Sequence, residues 1–518
     1  MGEVWKHLAD TVLSRYVINT VFLAFGVGSI GLLIGGGTAW LCATCRFPGQ
    51  TFFEWALLLP LAIPTYTIAF SYAGLLEYAG PVQSGLRVFF GWSRDEYWFP
   101  EIRSLPGAIV VMAFVLYPYV YLLGRAVFIG QSQTSSEMSR TLGRGPWRTF
   151  VAVSLPLARP AMIAGVALMV MEALSDFGAV QYLGVDTFTT GIYRTWFALG
   201  APQAAAQLSA ILLLFVFAVM LAEQWSRGKA RYYQVTGRDR LRRSIKLSGM
   251  RALFAVIFCS LPLTLGFLVP CTQLVLWTLE SWTDVIDRRF FEYAWHSASL
   301  AALTSVLAIF LALALRYSLR IRGGWGSRLC VRFAALGYAV PGSVIAVGVL
   351  LPFGWVDQKI DDFVRDWFGV STGLLLTGGI AVLVFGYLVR FLAVALGAVE
   401  SAMDKISPQL DDAARALGYG AGKRLWRLHI PLLFNGLLTG GLLVFVDVMK
   451  ELPATLILRP FNFDTLAVRA FELASDELLV ESASASLAIV CVGLIPVIVL
   501  SRAVGRVNFG VPRVGDTS

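Results

Sequence analysis

Asp412-Ala-Ala-Arg415-Ala-Leu417-Gly418-Tyr-Gly420, closing on Ile430-Pro431, repeats an earlier stretch at an offset of 275 residues: Glu137-Met-Ser-Arg140-Thr-Leu142-Gly143-Arg-Gly145, closing on Leu155-Pro156. Both are polar loops in a chain that is otherwise apolar. With 57% hydrophobic residues, 14% charged residues and a mean hydropathy of +0.70, the composition excludes a soluble domain and describes a polytopic membrane protein. Apolar runs of about 20 residues, the length that crosses a bilayer as a helix, recur throughout. Eleven are read, at 17–41, 53–76, 105–130, 160–180, 204–223, 252–276, 297–315, 333–351, 374–399, 433–456 and 484–500. The fold class expected is therefore all-α, in two homologous halves.

Sidedness follows from where the positive charge sits rather than from the net charge of +9. Arg227, Lys229, Arg231, Arg238, Arg240, Arg242, Arg243 and Lys246 fill the segment after the fifth run, Arg316, Arg320, Arg322, Arg328 and Arg332 follow the seventh, and both repeated loops are basic. All fall on one side of the eleven-span model, which the positive-inside rule makes cytoplasmic. Opposite loops are thinner in base, and Asp357-Gln-Lys-Ile-Asp361-Asp362 is read as one of them. The division expected is a first domain over 1–225, a basic cytoplasmic linker over 226–250 and a second domain over 251–518. Asn19-Thr20 matches His296-Ser297 and Ile63-Pro64 matches Val340-Pro341 at an offset of 277, so five spans precede the linker and six follow it. On that register the partner of the sixth span would lie upstream of Met1, and a first helix there is expected.

The six cysteines have no spacing of a disulfide framework. Cys42 and Cys45 form one C-x-x-C without a second pair, and there are three histidines, so no metal site is expected. In each repeated loop the glycines permit a sharp reversal between two short helices, and an amphipathic run follows, Trp147-Arg-Thr-Phe150-Val-Ala-Val153 or Arg424-Leu425-Trp-Arg-Leu428. Pro156 and Pro431 then reset the chain into the next span. A rigid helix pair below the membrane can transmit a push, and its duplication marks it as a docking device.

These loops resemble the EAA motif of binding-protein-dependent ABC importer permeases, in which E-A-A is followed by three residues, Gly, nine residues and I-x-L-P. Gly143 and Gly418 stand at the family's glycine, Glu137 and Asp412 at its acid, Ala413 and Ala414 at its alanines, and Pro156 and Pro431 at its proline. The resemblance implies the type I permease fold, with loops 136–156 and 411–431 as coupling helices seated on an ATPase. Glu137, Arg140, Leu142, Gly143, Gly145, Pro156, Asp412, Ala413, Ala414, Arg415, Leu417, Gly418, Gly420 and Pro431 are then the coupling residues. Met138, Ser139 and Asp412 depart from the motif and put equivalence of the two contacts in doubt. The partners implied are a homodimeric ABC ATPase carrying ATP and Mg, a periplasmic or lipid-anchored solute-binding protein and membrane lipid, with no nucleic acid, no catalytic residue and no cofactor on this chain. The location implied is the bacterial cytoplasmic (inner) membrane. Fused tandems resemble ferric-iron and thiamine permeases, and the segments Leu59-Pro-Leu-Ala-Ile-Pro, Glu172-Ala-Leu-Ser-Asp176 and Lys450-Glu451-Leu-Pro look like the iron type. Thiamine, phosphonate or another small solute is the alternative cargo.

Glu172 and Asp176 share one helix face at i, i+4, and Asp447 and Glu451 repeat them 275 residues on. Each ionisable group inside a membrane costs roughly 2.5 to 3.5 kcal/mol on insertion scales and usually faces a bundle interior or aqueous path. The four would suit a hard cation that prefers oxygen ligands. Alternatively they hold the halves together through Lys450, Arg459 or backbone groups. Thr190 and Arg194, matched by Thr465 and Arg469 in outer loops, are where the family would place the docked binding protein. A secondary transporter also has two repeats, but it needs no external motor. Gly418-Tyr-Gly-Ala-Gly-Lys423-Arg424 is not a phosphate loop, because Leu417 stands at its first Gly position and Arg424 at its Ser/Thr. Hydrolysis is therefore expected on another chain.

Overall fold

The computed structural model describes residues 2–93, 96–130, 150–227 and 245–509. Its first part runs α1 (Gly2–Thr11), α2 (Leu13–Thr44), β1 (Cys45–Arg46), α3 (Gln50–Ala56), α4 (Thr65–Leu76), α5 (Pro81–Phe90), α6 (Leu105–Leu116), α7 (Pro118–Gly130), α8 (Leu155–Ser175), α9 (Gly178–Tyr182), α10 (Phe188–Tyr193) and α11 (Pro202–Arg227). After it come β2 (Ile245–Lys246), α12 (Met250–Leu263), α13 (Val269–Val285), α14 (Arg288–Arg322), α15 (Trp325–Leu336), α16 (Gly342–Phe368) and α17 (Ile380–Met403). The last part holds α18 (Pro408–Ala416), α19 (Ala421–Arg424), α20 (Ile430–Met449), α21 (Pro453–Leu458), α22 (Leu466–Ser475) and α23 (Leu479–Phe509).

Among the described residues nine helices are long and apolar enough to cross a bilayer. Two bent pairs bring the number to eleven: Gln50–Ala62 with Thr65–Phe90, bent by 91° at Pro64, and Leu105–Leu116 with Pro118–Gly130, bent by 41° at Pro118. The eleven match the apolar runs in number and order. Their ends differ in three places. The fourth run stops as a helix at Ser175 and the tenth at Met449, each followed by a short separate helix. The eighth begins after Pro341 and continues to Phe368, so the acidic segment read as an outer loop is helical. Its carboxylates carry the extension, because Asp357 accepts from the amides of Leu376 and Thr377, both at 2.8 Å, and Asp361 accepts from the Thr372 amide at 2.6 Å. Helix and returning segment are stitched together by side-chain bonds that no periodicity displays.

Two compact units emerge, and they do not follow chain order. Leu214–Leu279, which carries the sixth span, clusters with Gly2–Thr190, while Gly191–Leu213 clusters with Glu280–Pro496. In the first unit α2, α7 and α8 pack on one another, and α12 lies against α2 and α3. Glycines make the crossings close: a side chain at Gly35 would come within 2.7 Å of the Tyr117 carbonyl, and one at Gly165 within 2.7 Å of Val120 Cα. Gly37 takes the Phe258 ring of α12 in the same way, and the Tyr72 hydroxyl donates to the Leu265 carbonyl at 2.5 Å. In the other unit α14, α17 and α20 form the corresponding trio. These are the first, third and fourth spans of each repeat, so the duplication seen in the loops is present in the packing.

Gly165→Leu should lower the thermal transition of the purified protein by an amount equivalent to about 1–3 kcal/mol or more, because the new side chain meets backbone. Gly348→Leu, where the space is open, should leave the transition unchanged. Fluorescence-detected thermal denaturation in detergent checks both.

Candidate coupling loop and membrane carboxylates

The second repeated loop is a helix, a turn and a second helix. Ser407 caps α18 through the Gln409 amide, and Pro408 supplies the preset first turn. The helix ends in a Schellman arrangement: the Tyr419 amide bonds the Ala414 carbonyl and the Gly418 amide the Arg415 carbonyl, both at 2.9 Å. Gly418 has φ +75°, the left-handed conformation that the sequence assigned to its glycine. α19 then runs through a π-helical turn, Leu425–His429, into α20. The first loop's Glu137, Arg140, Leu142, Gly143 and Gly145 lie outside the described residues. Its end is described and repeats the second: a π-helical turn, Phe150–Ser154, precedes exposed Pro156, just as one precedes exposed Pro431.

Asp412, Ala413, Arg415, Leu417, Gly418 and Gly420 are exposed on this loop, and Ala414 is turned inward. Leu417 is 75% and Trp426 72% exposed, which gives the loop an apolar contact surface beside the Asp412–Arg415 ion pair. Beneath that surface lies a cluster that the sequence reading missed. Asp411, next to the motif's acid, is buried and accepts from Arg320 Nε at 2.7 Å and pairs with His429 Nε2 at 2.8 Å, with Arg424 Nη1 at 3.6 Å. Arg320, at the end of α14, also donates to the carbonyls of Met403 at 3.0 Å and Ile406 at 2.9 Å. One guanidinium thus fastens the loop to α14 and to the end of α17. Burial alone would raise the Asp411 carboxyl, but hydrogen bonds from Arg320 and His429, together with their charge, hold it below its ordinary value. At the matching first-loop positions stand Ser136, Thr149 and Ser154.

The four membrane carboxylates fall into two kinds. Asp176 and Glu451 stand where helices stop. Asp176 accepts from the Ala179 amide at 2.8 Å and from the Thr65 hydroxyl, and Glu451 accepts from the Ala454 amide at 3.0 Å and pairs with Arg390 Nη1 at 3.4 Å. Gly342 occupies the place that Thr65 has in the first repeat, and a methyl there would lie 2.6 Å from Glu451 Oε1 and collide with the guanidinium. The glycine therefore admits the arginine that replaces the threonine hydroxyl as partner. In the sequence Arg390 is a lone arginine in an apolar run, the one signal there of a buried ionic partner. Glu172 and Asp447, one turn earlier, are half-buried. Asp447 has Lys450 Nζ at 2.9 Å, whereas Ser175 stands at the lysine's place in the first repeat, and among the described residues Glu172 has no ion-pair partner. Arg459 pairs with Asp464 and Glu472 instead of with the membrane carboxylates.

Of the outer-loop residues, Thr190 and Thr465 are buried. Thr190 exchanges hydrogen bonds with the backbone of Thr187 at 2.8 and 2.9 Å, and Thr465 caps α22 through the Val468 amide. Arg194 is exposed and Arg469 half-buried.

Among the described residues, up to eleven spans divided between two repeats, with an exposed two-helix loop fastened to one trio, define a membrane permease. The family described as binding-protein-dependent transport system inner membrane component matches residues 31–231 and 304–511, and the chain belongs to that family. It is a multi-pass protein of the bacterial inner membrane. It is 26% identical over 499 residues to the Fe(3+)-transport system permease protein FbpB 2 of Haemophilus influenzae, covering 95% of this chain and 90% of that protein. Identity to the ferric transport system permease protein FbpB of Actinobacillus pleuropneumoniae is 23% over 91% of this chain and 68% of that one. The molybdenum transport system permease protein ModB of Escherichia coli is 29% identical over 219 residues, 92% of its length but 40% of this chain.

Replacing Asp411 with Ala should leave Arg320 short of an acceptor, cost roughly 1–3 kcal/mol, and speed amide exchange across 405–430 with little change in the α14 core. Because the folded carboxyl is held below its ordinary value of about 3.9, the pairing contributes fully above that value and is lost only as pH falls through the lower one. Exchange in this loop should therefore be insensitive to that pairing from pH 6 to 8. Hydrogen-exchange mass spectrometry reads both results.

Proposed function

We propose that the chain is the permease of an ATP-driven importer that passes ferric iron, delivered by a solute-binding protein, into the cytoplasm. The observation that carries the cargo is similarity to an Fe(3+)-transport permease along 95% of the chain, both repeats included. The chemistry agrees, since a hard cation prefers oxygen donors. Glu172 and Asp447 are the path residues in this reading, while Asp176 and Glu451 hold the helix breaks that flank them. A path that gripped iron tightly would not release it. One carboxylate with no ion pair among the described residues and one tempered by Lys450 suit passage better than capture.

Energy would come from a separate homodimeric ATPase that holds ATP and Mg. Its contact on this chain is the exposed surface of Asp412, Ala413, Arg415, Leu417 and Gly420, with the first loop's Glu137, Arg140, Leu142, Gly143 and Gly145 as the counterpart. The Asp411–Arg320 attachment would carry its movement into α14 and α17. On the outer side Arg194 and Arg469 are the side chains offered to a periplasmic or lipid-anchored binding protein, on surfaces shaped by Thr190 and Thr465.

Radioiron uptake into proteoliposomes containing permease and ATPase, with loaded binding protein outside, tests this reading. Glu172→Gln should slow uptake tenfold or more, Asp447→Asn should slow it less, and both variants should keep the ATPase bound. Wild-type uptake by the double variant would remove the carboxylates from the path. Transport of molybdate, sulfate or thiamine in place of iron would overturn the cargo.

A further inference from the structure

Helix α5 is built with its polarity reversed. Gln83 is buried, Ser84 and Arg87 are half-buried, and their polar atoms are satisfied internally. Gln83 Nε2 donates to the Leu76 carbonyl and the Tyr97 hydroxyl donates to Gln83 Oε1, both at 2.7 Å. Arg87 donates to the Tyr97 hydroxyl and to Ser84 Oγ, both at 3.0 Å, with its guanidinium 4.0 Å above the Tyr78 ring. The opposite, exposed face reads Pro81, Val82, Gly85, Val88 and Phe89, at i, i+1, i+4, i+7 and i+8. It carries no polar side chain, and Val88 and Phe89 are 86% and 81% exposed. A helix on an aqueous surface has the opposite arrangement, apolar stripe inward and charge outward.

The surroundings say what lies against this stripe. α5 follows α4 within Thr65–Phe90, one arm of a bent pair apolar enough to count as a span, and whereas every residue of α4 is buried or half-buried, α5 is where that arm turns an apolar face outward. Aromatic rings follow it at once: Phe90 stacks on Trp92 at 4.4 Å, Trp92 on Tyr97 at 5.5 Å, and Trp98 is 86% exposed. Such rings gather where hydrocarbon meets headgroups. A transient protein partner would need polar groups at the rim to set its register. The stripe offers none, and its helix's one cation is turned inward.

We propose that α5 is an interfacial anchor whose Val82, Val88 and Phe89 sink into the acyl region of the outer leaflet, with Trp92 and Trp98 at headgroup level. Through α4 it steadies the outer side of the bend that begins at Thr65, the partner of Asp176. The proposal holds for any cargo.

A test is an environment-sensitive fluorophore attached at Phe89→Cys in protein whose native cysteines are replaced, reconstituted with ATPase in phospholipid vesicles. Nitroxide lipids labelled high on the acyl chain should quench it at least threefold more than the same probe at Glu96→Cys, with or without the binding protein. Val88→Cys, on the same stripe, serves if Phe89→Cys does not assemble. Water-like emission without lipid quenching would overturn the proposal, and so would a change of environment seen only when the binding protein is added, which would make the stripe a protein-docking surface.

Discussion

A helix that stops within an apolar layer leaves amides and carbonyls where no water can reach them, and this structure contains that stop twice, at Asp176 and at Lys450–Glu451. At each, a carboxylate turns back to accept the amide three residues on, opening the short helix that follows. The arrangement needs a second donor to balance the acid. Thr65, fixed by Pro64 at the head of α4, provides a hydroxyl in one repeat, and Arg390 provides a guanidinium in the other because Gly342 leaves it room. The break also positions Glu172 and Asp447, which lie one turn before it on helices that would otherwise run straight through.

At that common frame the repeats diverge in charge. The second repeat compensates its acids, with Lys450 beside Asp447, Arg390 beside Glu451 and Arg320 beside Asp411. The first keeps a hydroxyl for Asp176, serine and threonine where the loop cluster would be, and Glu172 among described residues without an ion pair. The first unit does have its own buried pair, Glu54 with Arg125 at 2.9 Å, which joins the α3 segment to α7. Among the described residues, the second half is braced by ion pairs around its loop and its break, and the break of the first half is held by a hydroxyl.

The spans, their number and the second loop's helix–turn–helix were legible because each rests on local rules: apolar length, a glycine needing positive φ, a proline that cannot continue a helix. The helix stops were hidden, since Ala173 to Val180 and Val444 to Leu456 stay mostly apolar across them. Asp411 meets His429 18 residues on and Arg320 91 residues back, distances at which no periodicity operates. The clustering of Leu214–Leu279 with Gly2–Thr190 was equally invisible, because an offset between repeats says nothing about which trio a span packs against. The reversed polarity of α5 was written in Val82-Gln83-Ser84-Gly85-Leu86-Arg87-Val88-Phe89, yet only the exposure of each face tells an outward apolar stripe from an inward one.

The proposed role makes the chain a route driven from outside itself. Uptake should be measured in proteoliposomes with the purified ATPase and binding protein, with ATP supplied or withheld and with ion gradients imposed or collapsed. Transport should require ATP, the ATPase and the binding protein together and be indifferent to the gradients. Gradient-driven uptake by the chain alone would contradict it.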